Sequence, residues 1–144
     1  MAATHFTGPV VSTNGFRQGT GAVETITGAT TLTASDSGKT FYLNAAAGAT
    51  ITLPAVAAGL ELEFIVAATF ATTNWIIDSA EGDNIDGSAE VAGAVVVAGA
   101  EDQINLVATA EALGDTVILK SDGNQWFVRG IAALSGGMTF TDPS

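Results

Sequence analysis

The chain has 144 residues, of which 47% are hydrophobic and only 13% charged, and fifteen Asp and Glu against four Lys and Arg give a formal net charge of −11. That length allows one domain, or one domain with an arm. The apolar fraction is too high for a disordered acidic tail, the cations are too few for a nucleic-acid-binding patch, and the absence of Cys excludes a disulfide scaffold, a thiolate zinc site and a cysteine nucleophile. No run of about eighteen apolar residues occurs, and the opening Met1-Ala2-Ala3-Thr4-His5-Phe6 has no basic segment ahead of an apolar one. Neither a membrane span nor a secretory leader is therefore expected.

In chain order, residues 1–21 differ from the remainder of the chain. Gly8, Pro9, Gly15, Gly19 and Gly21 punctuate this stretch, which reads as an extended N-terminal arm with a short β segment at 10–12 and a turn at Asn14-Gly15. Phe6, Val10, Val11 and Phe16 are spaced apolar anchors of a kind that plain linkers lack, and Arg17 stands beside them.

Residues 22–144 read as one domain. Strands are predicted at 23–27, 31–34, 40–44, 50–53, 61–67, 75–78, 89–91, 95–98, 103–108, 116–120 and 125–129, ending in a short C-terminal tail. Turn signals separate them, among them Asp36-Ser37-Gly38, Asp86-Gly87 and Asp122-Gly123-Asn124. The period is two: Leu62, Phe64 and Val66 share one face while Glu61 and Glu63 take the other. Asp122-Gly123-Asn124 is a strong hairpin signal. Residues 55–60 and 108–113 each have room for one helical turn, but neither sustains a 3.6-residue period.

Strands this short and regularly spaced predict an all-β fold, a single small β-sandwich or β-barrel. Its predicted core is Phe41, Leu43, Ile51, Leu53, Leu62, Phe64, Val66, Ile104, Leu106, Val117, Leu119, Trp126 and Val128. The runs Ile65-Val66-Ala67, Trp75-Ile76-Ile77 and Val95-Val96-Val97 are apolar on both faces and call for cover on both faces. Aromatics are only 7% of the chain, and much of the apolar fraction is alanine. An alanine-diluted core makes a lone subunit marginal, so self-association is expected.

Chemistry is sparse. The one histidine, His5, lies in the arm, where no second group holds it; a Ser-His-Asp triad and any two-histidine metal site go with it. Ser37-Gly38-Lys39-Thr40 resembles the end of a phosphate-binding loop, but the glycine needed five positions before Gly38 is Thr33 and no helix pattern comes after it, so a tight hairpin is expected. Asp78, Glu81, Asp83 and Asp86 offer hard oxygen ligands for calcium, yet their spacing misses the calcium-loop pattern and a solvated turn is the expected form. Carboxylate pairs for glycoside hydrolysis are available by residue type, but Trp75 and Trp126 lie inside period-two strands, where packing rather than a sugar platform is expected. These residues predict a protein that is not an enzyme and takes no cofactor or metal.

The run from Leu32 through Thr33-Ala34-Ser35-Asp36-Ser37-Gly38-Lys39-Thr40-Phe41-Tyr42-Leu43 to Thr50-Ile51-Thr52-Leu53-Pro54 and Ala58-Gly59-Leu60 resembles a strand pattern of tailed-bacteriophage structural proteins. Glu101-Asp102-Gln103-Ile104-Asn105-Leu106 and Ser121-Asp122-Gly123-Asn124-Gln125-Trp126-Phe127-Val128 continue it, and Gly8-Pro9-Val10-Val11-Ser12-Thr13-Asn14-Gly15-Phe16 resembles the N-terminal arms of phage head and fibre proteins. The chain is thus similar to capsid decoration (cement) proteins, and more distantly to β-rich phage fibre domains. The resemblance covers most of residues 8–130 and carries no catalytic motif. It implies a homotrimer on the outer surface of a phage head, in the host cytoplasm before assembly. Its partners would be the major capsid protein and itself, with no nucleic acid and no membrane. Docking would fall to Phe6, Val10, Val11, Phe16 and Arg17. The alternative is a receptor-binding fibre or tail-knob domain.

Overall fold

The structure, a computed structural model, describes Thr7, residues 20–80 and residues 82–143. Two short 3-10 turns, Thr20–Ala22 and Ala34–Asp36, accompany the strands β1 (Val23–Ile26), β2 (Thr30–Thr31), β3 (Thr40–Leu43), β4 (Thr50–Thr52), β5 (Glu61–Val66) and β6 (Trp75–Asp78). The second half supplies β7 (Ile85–Val91), β8 (Ala94–Glu101), β9 (Gln103–Leu106), β10 (Thr116–Ser121), β11 (Trp126–Ala132) and β12 (Met138–Thr141). The domain is all-β. Residues 138–141, read from sequence as tail, form a strand because Met138 is buried and the segment pairs with β9. Residues 55–60 and 108–113 form turns instead of helical turns.

The strands make a seven-stranded sheet in the order β1-β3-β5-β10-β11-β7-β8 and a five-stranded sheet in the order β12-β9-β6-β4-β2. From β1 to β6 the chain alternates between sheets, so that β1, β3 and β5 run parallel in one while β2, β4 and β6 run parallel in the other. Parallel neighbours need a long crossover; here the crossover is a strand of the opposite sheet. The tight hairpin expected at Ser37-Gly38-Lys39-Thr40 is therefore absent. Asp36-Ser37-Gly38 instead carries the chain from β2 in one sheet to β3 in the other, with Gly38 at φ +85°. True hairpins come later: β10 and β11 join through Asp122-Gly123-Asn124, as expected, and β7 and β8 through Ala92 and Gly93, both at positive φ as a tight two-residue turn requires.

One core lies between the sheets. Every residue of the predicted core is buried, and Leu32, Phe70, Trp75, Ile77, Ile85 and Met138 complete it. The Phe41 and Phe64 rings stack at 5.3 Å between centroids across adjacent parallel strands. Alanine does not dilute this core as its abundance suggested: Ala89, Ala98 and Ala132 are the buried ones, and the large side chains do the packing.

Candidate functional site

Among the described residues, the sequence candidates for chemistry do not assemble into one site. Asp78 accepts a hydrogen bond from Gln103 Nε2 at 2.6 Å, Asp83 from the Val56 N–H at 3.2 Å, and Asp86 from the Ala100 N–H at 3.0 Å. These three acids each serve a different neighbour, and among the described residues no three acidic or histidine groups converge on an ion site. Glu81 lies outside the described residues. Adding EDTA or millimolar calcium is accordingly expected to leave the melting temperature unchanged; a chelator-induced drop that calcium restores would reinstate Asp78, Glu81, Asp83 and Asp86 as ligands.

Lys39 is no phosphate ligand in waiting. Its Nζ lies 2.6 Å from Asp36 and 3.1 Å from Glu24, which raises its pKa, and the Asp36 carboxyl is lowered by Lys39 first and by the Thr33 N–H second. Thr33 and Asp36 form a capping box around the short turn. Trp75 and Trp126 are fully buried, and neither indole N–H has an acceptor among the described residues. They are core residues and present no sugar platform. His5 and the proposed docking residues Phe6, Val10, Val11, Phe16 and Arg17 all lie outside the described residues.

What the fold does organise is charge. Strand directions place Glu24, Asp36, Glu61, Asp78, Asp83, Asp86, Glu101, Asp102, Asp122 and Asp142 at one end of the sandwich, the end where the chain enters the body at Thr20–Ala22. Lys39 and Lys120 are also there. The Asp122 carboxyl is lowered by the N–H groups of Asn124 and Gln125, which close the turn. The other end is built from loops of alanine, glycine and threonine around residues 44–49, 67–74, 92–93, 107–115 and 133–137. Its loop acids are turned to the backbone: Glu111 accepts from the Phe70 N–H at 2.9 Å, and buried Asp115 accepts from the Ala112 and Ala133 N–H groups at 2.8 and 2.9 Å.

The outer face of the seven-stranded sheet is the second organised surface. Register aligns Tyr42, Ile65, Thr116, Ile131, Glu90 and Val95 in one row across the strands, and Thr40, Glu63, Ile118, Arg129, Ser88 and Val97 in the next. Val95, Val97, Ile131 and Phe127 are 71, 70, 60 and 44% exposed. Two open depressions flank Arg129: one of about 340 Å³ against Lys120 and Phe127, the other of about 470 Å³ against Glu90, Val95 and Ile131. Glu63, half-buried, accepts from the Thr40 hydroxyl at 3.0 Å, and Glu61 pairs with Lys120 at 3.4 Å, which accounts for the two acids flanking Phe64. This face carries exposed apolar side chains beside five charged ones, Glu61, Glu63, Glu90, Lys120 and Arg129. It is suited to contact. The strand triplet Val95-Val96-Val97 pointed to it in the sequence; the segregation of acids did not, because it depends on strand direction.

Comparison with protein-family models, with curated proteins and with solved structures finds no match.

Proposed function

We propose that the chain is a structural virion protein, a capsid decoration protein that binds the outer surface of a tailed-phage head as a homotrimer and stabilises it. The observation that carries this reading is the run from Leu32 to Leu60, whose resemblance to such proteins spans the segment that crosses between the two sheets from β2 to β5. The outer face of the seven-stranded sheet, with Val95, Val97 and Ile131 exposed, also offers a surface for contact. A receptor-binding knob, the alternative, draws on exposed aromatics at its tip for recognition; the burial of Trp75 and Trp126 favours decoration.

In this reading residues 2–21 are the anchor. An extended arm of about twenty residues reaches up to roughly 65 Å, enough to pass from one capsid subunit to the next. Phe6, Val10, Val11 and Phe16 would dock on the major capsid protein, with Arg17 on a capsid carboxylate. Each arm binds weakly because ordering it costs on the order of 1 kcal/mol per residue, and three arms on one trimer act together through effective concentration. The arm leaves from the acidic end of the body, so the shell around its docking site should be basic. The same acidity keeps free subunits soluble and makes them poor partners for DNA. No cofactor takes part.

Deleting residues 2–21 tests the assignment. The truncated body should fold and self-associate as before but fail to bind undecorated particles, which would then lose the added resistance to heat. Full decoration by the truncated protein would show that the arm is not the anchor.

A further inference from the structure

We infer that the β8 side of the sandwich is the contact between copies of this chain, with Val95, Val97 and Ile131 buried against a second copy. The inference deepens the proposed function, since it rests on the self-association in that reading and names the surface responsible.

Edges come first. A sandwich of two open sheets has four edge strands, each a row of unpaired backbone groups that invites a further strand. Three of them are short: β1 and β12 have four residues each and β2 has two. The fourth, β8, has eight, and from Ala94 to Ala100 it holds no charge and no proline, the usual guards of an exposed edge. Beside it lies β12, whose Met-Thr-Phe-Thr segment is also uncharged. The opposite side of the sandwich is guarded by the Glu24–Lys39 ion pair.

Cover comes second. Of the three strands that read as apolar on both faces, β5 and β6 hold their outward residues Ile65 and Ile76 half-buried, whereas β8 leaves Val95 and Val97 about 70% exposed. Next to them Ile131 continues the patch along the row that pairs it with Glu90.

Charge decides the occupant. A chain at −11 repels its own copies wherever acids face each other; most of its acids are gathered at one end of the sandwich, and the exposed acid beside Val95 is Glu90, in the same depression as Arg129. The β8 side is therefore where two identical chains can approach with few like charges between them, the apolar strip of Val95, Val97 and Ile131 meeting apolar surface and Glu90 of one copy able to face Arg129 of the next. Three copies with this side turned to a shared axis form a closed ring, while the acidic ends and their arms stay free.

The test uses the full chain. Sedimentation equilibrium at micromolar concentration should return close to three chain masses, and the double variant Val95→Glu/Val97→Glu should sediment as one chain mass with an unchanged far-ultraviolet dichroism spectrum. Because the chain has no cysteine, Val97→Cys gives a single thiol per copy, and a short bismaleimide should join chains in pairs there but not at Val23→Cys on the opposite side. The cross-linking readout stands even where the double variant fails to fold. A wild-type chain that stays monomeric, association unaffected by the two glutamates in a folded variant, or equal cross-linking at positions 23 and 97 would each overturn the surface. A two-chain species abolished by the same variant would support the β8 contact and overturn the three-fold arrangement. An assembled wild type that ignores undecorated particles would instead count against decoration and leave the surface standing.

Discussion

Replacing Phe64 by alanine is expected to lower the unfolding free energy by about 3–5 kcal/mol, read as a shift of the urea midpoint at constant slope. Phe64 lies in the centre of β5 with no exposed surface, its ring stacked on Phe41, and β5 is bonded to β3 on one side and β10 on the other. Removing the ring forfeits its transfer free energy and leaves a cavity that two stiff neighbouring strands cannot close. A loss below about 1 kcal/mol would mean that Phe64 faces outward and that the whole register of β5 is shifted by one residue.

Gly87→Ala is expected to be at least as damaging, with a loss of roughly 4 kcal/mol or more, or a failure to accumulate folded protein. Gly87 sits at φ +134°, and a methyl group there would lie 2.2 Å from the carbonyl oxygen of Val128, its pairing partner on β11. The obstructing atom is backbone, so relief requires β7 to move away from β11. Since β8 is bonded to the sheet only through β7, the same variant should also lose the proposed self-association. A Gly87→Ala protein with wild-type melting would show that the β7–β11 pairing is looser than described.

The core was legible because its residues are large and alternate strictly: Phe41 and Leu43, Leu62, Phe64 and Val66, and Trp126 and Val128 all fall on the inward side of their strands. Connectivity was not. Asp36-Ser37-Gly38 announces a reversal, but turn chemistry is local and does not specify which sheet receives the next strand; with β2 only two residues long, hairpin and crossover look alike in sequence. The strand β12 carried a period of two over only four residues after Gly136-Gly137, too short a signal to stand alone. For the proposed contact surface, Val95-Val96-Val97 was visible as an excess of apolar residues. Its neighbours Ile131, Glu90 and Arg129 appear only once β7, β8 and β11 are laid side by side.

The alternation of β1 to β6 between two sheets has a consequence for how the chain reaches this state. Val23 meets Thr40, and Thr40 meets Glu63, only after an intervening strand has crossed to the other sheet and back, so these contacts close late and at high entropic cost. The hairpins β7–β8 and β10–β11 are local and form on a scale of microseconds. During synthesis and early folding the valine strand is thus presented before the sheet that supports it is complete, which is the situation in which unguarded edges pair with the wrong chain. Residues 78–86 and 101–102, crowded with carboxylates, immediately flank that hairpin. Their like charge disfavours the meeting of two such hairpins before each body has closed.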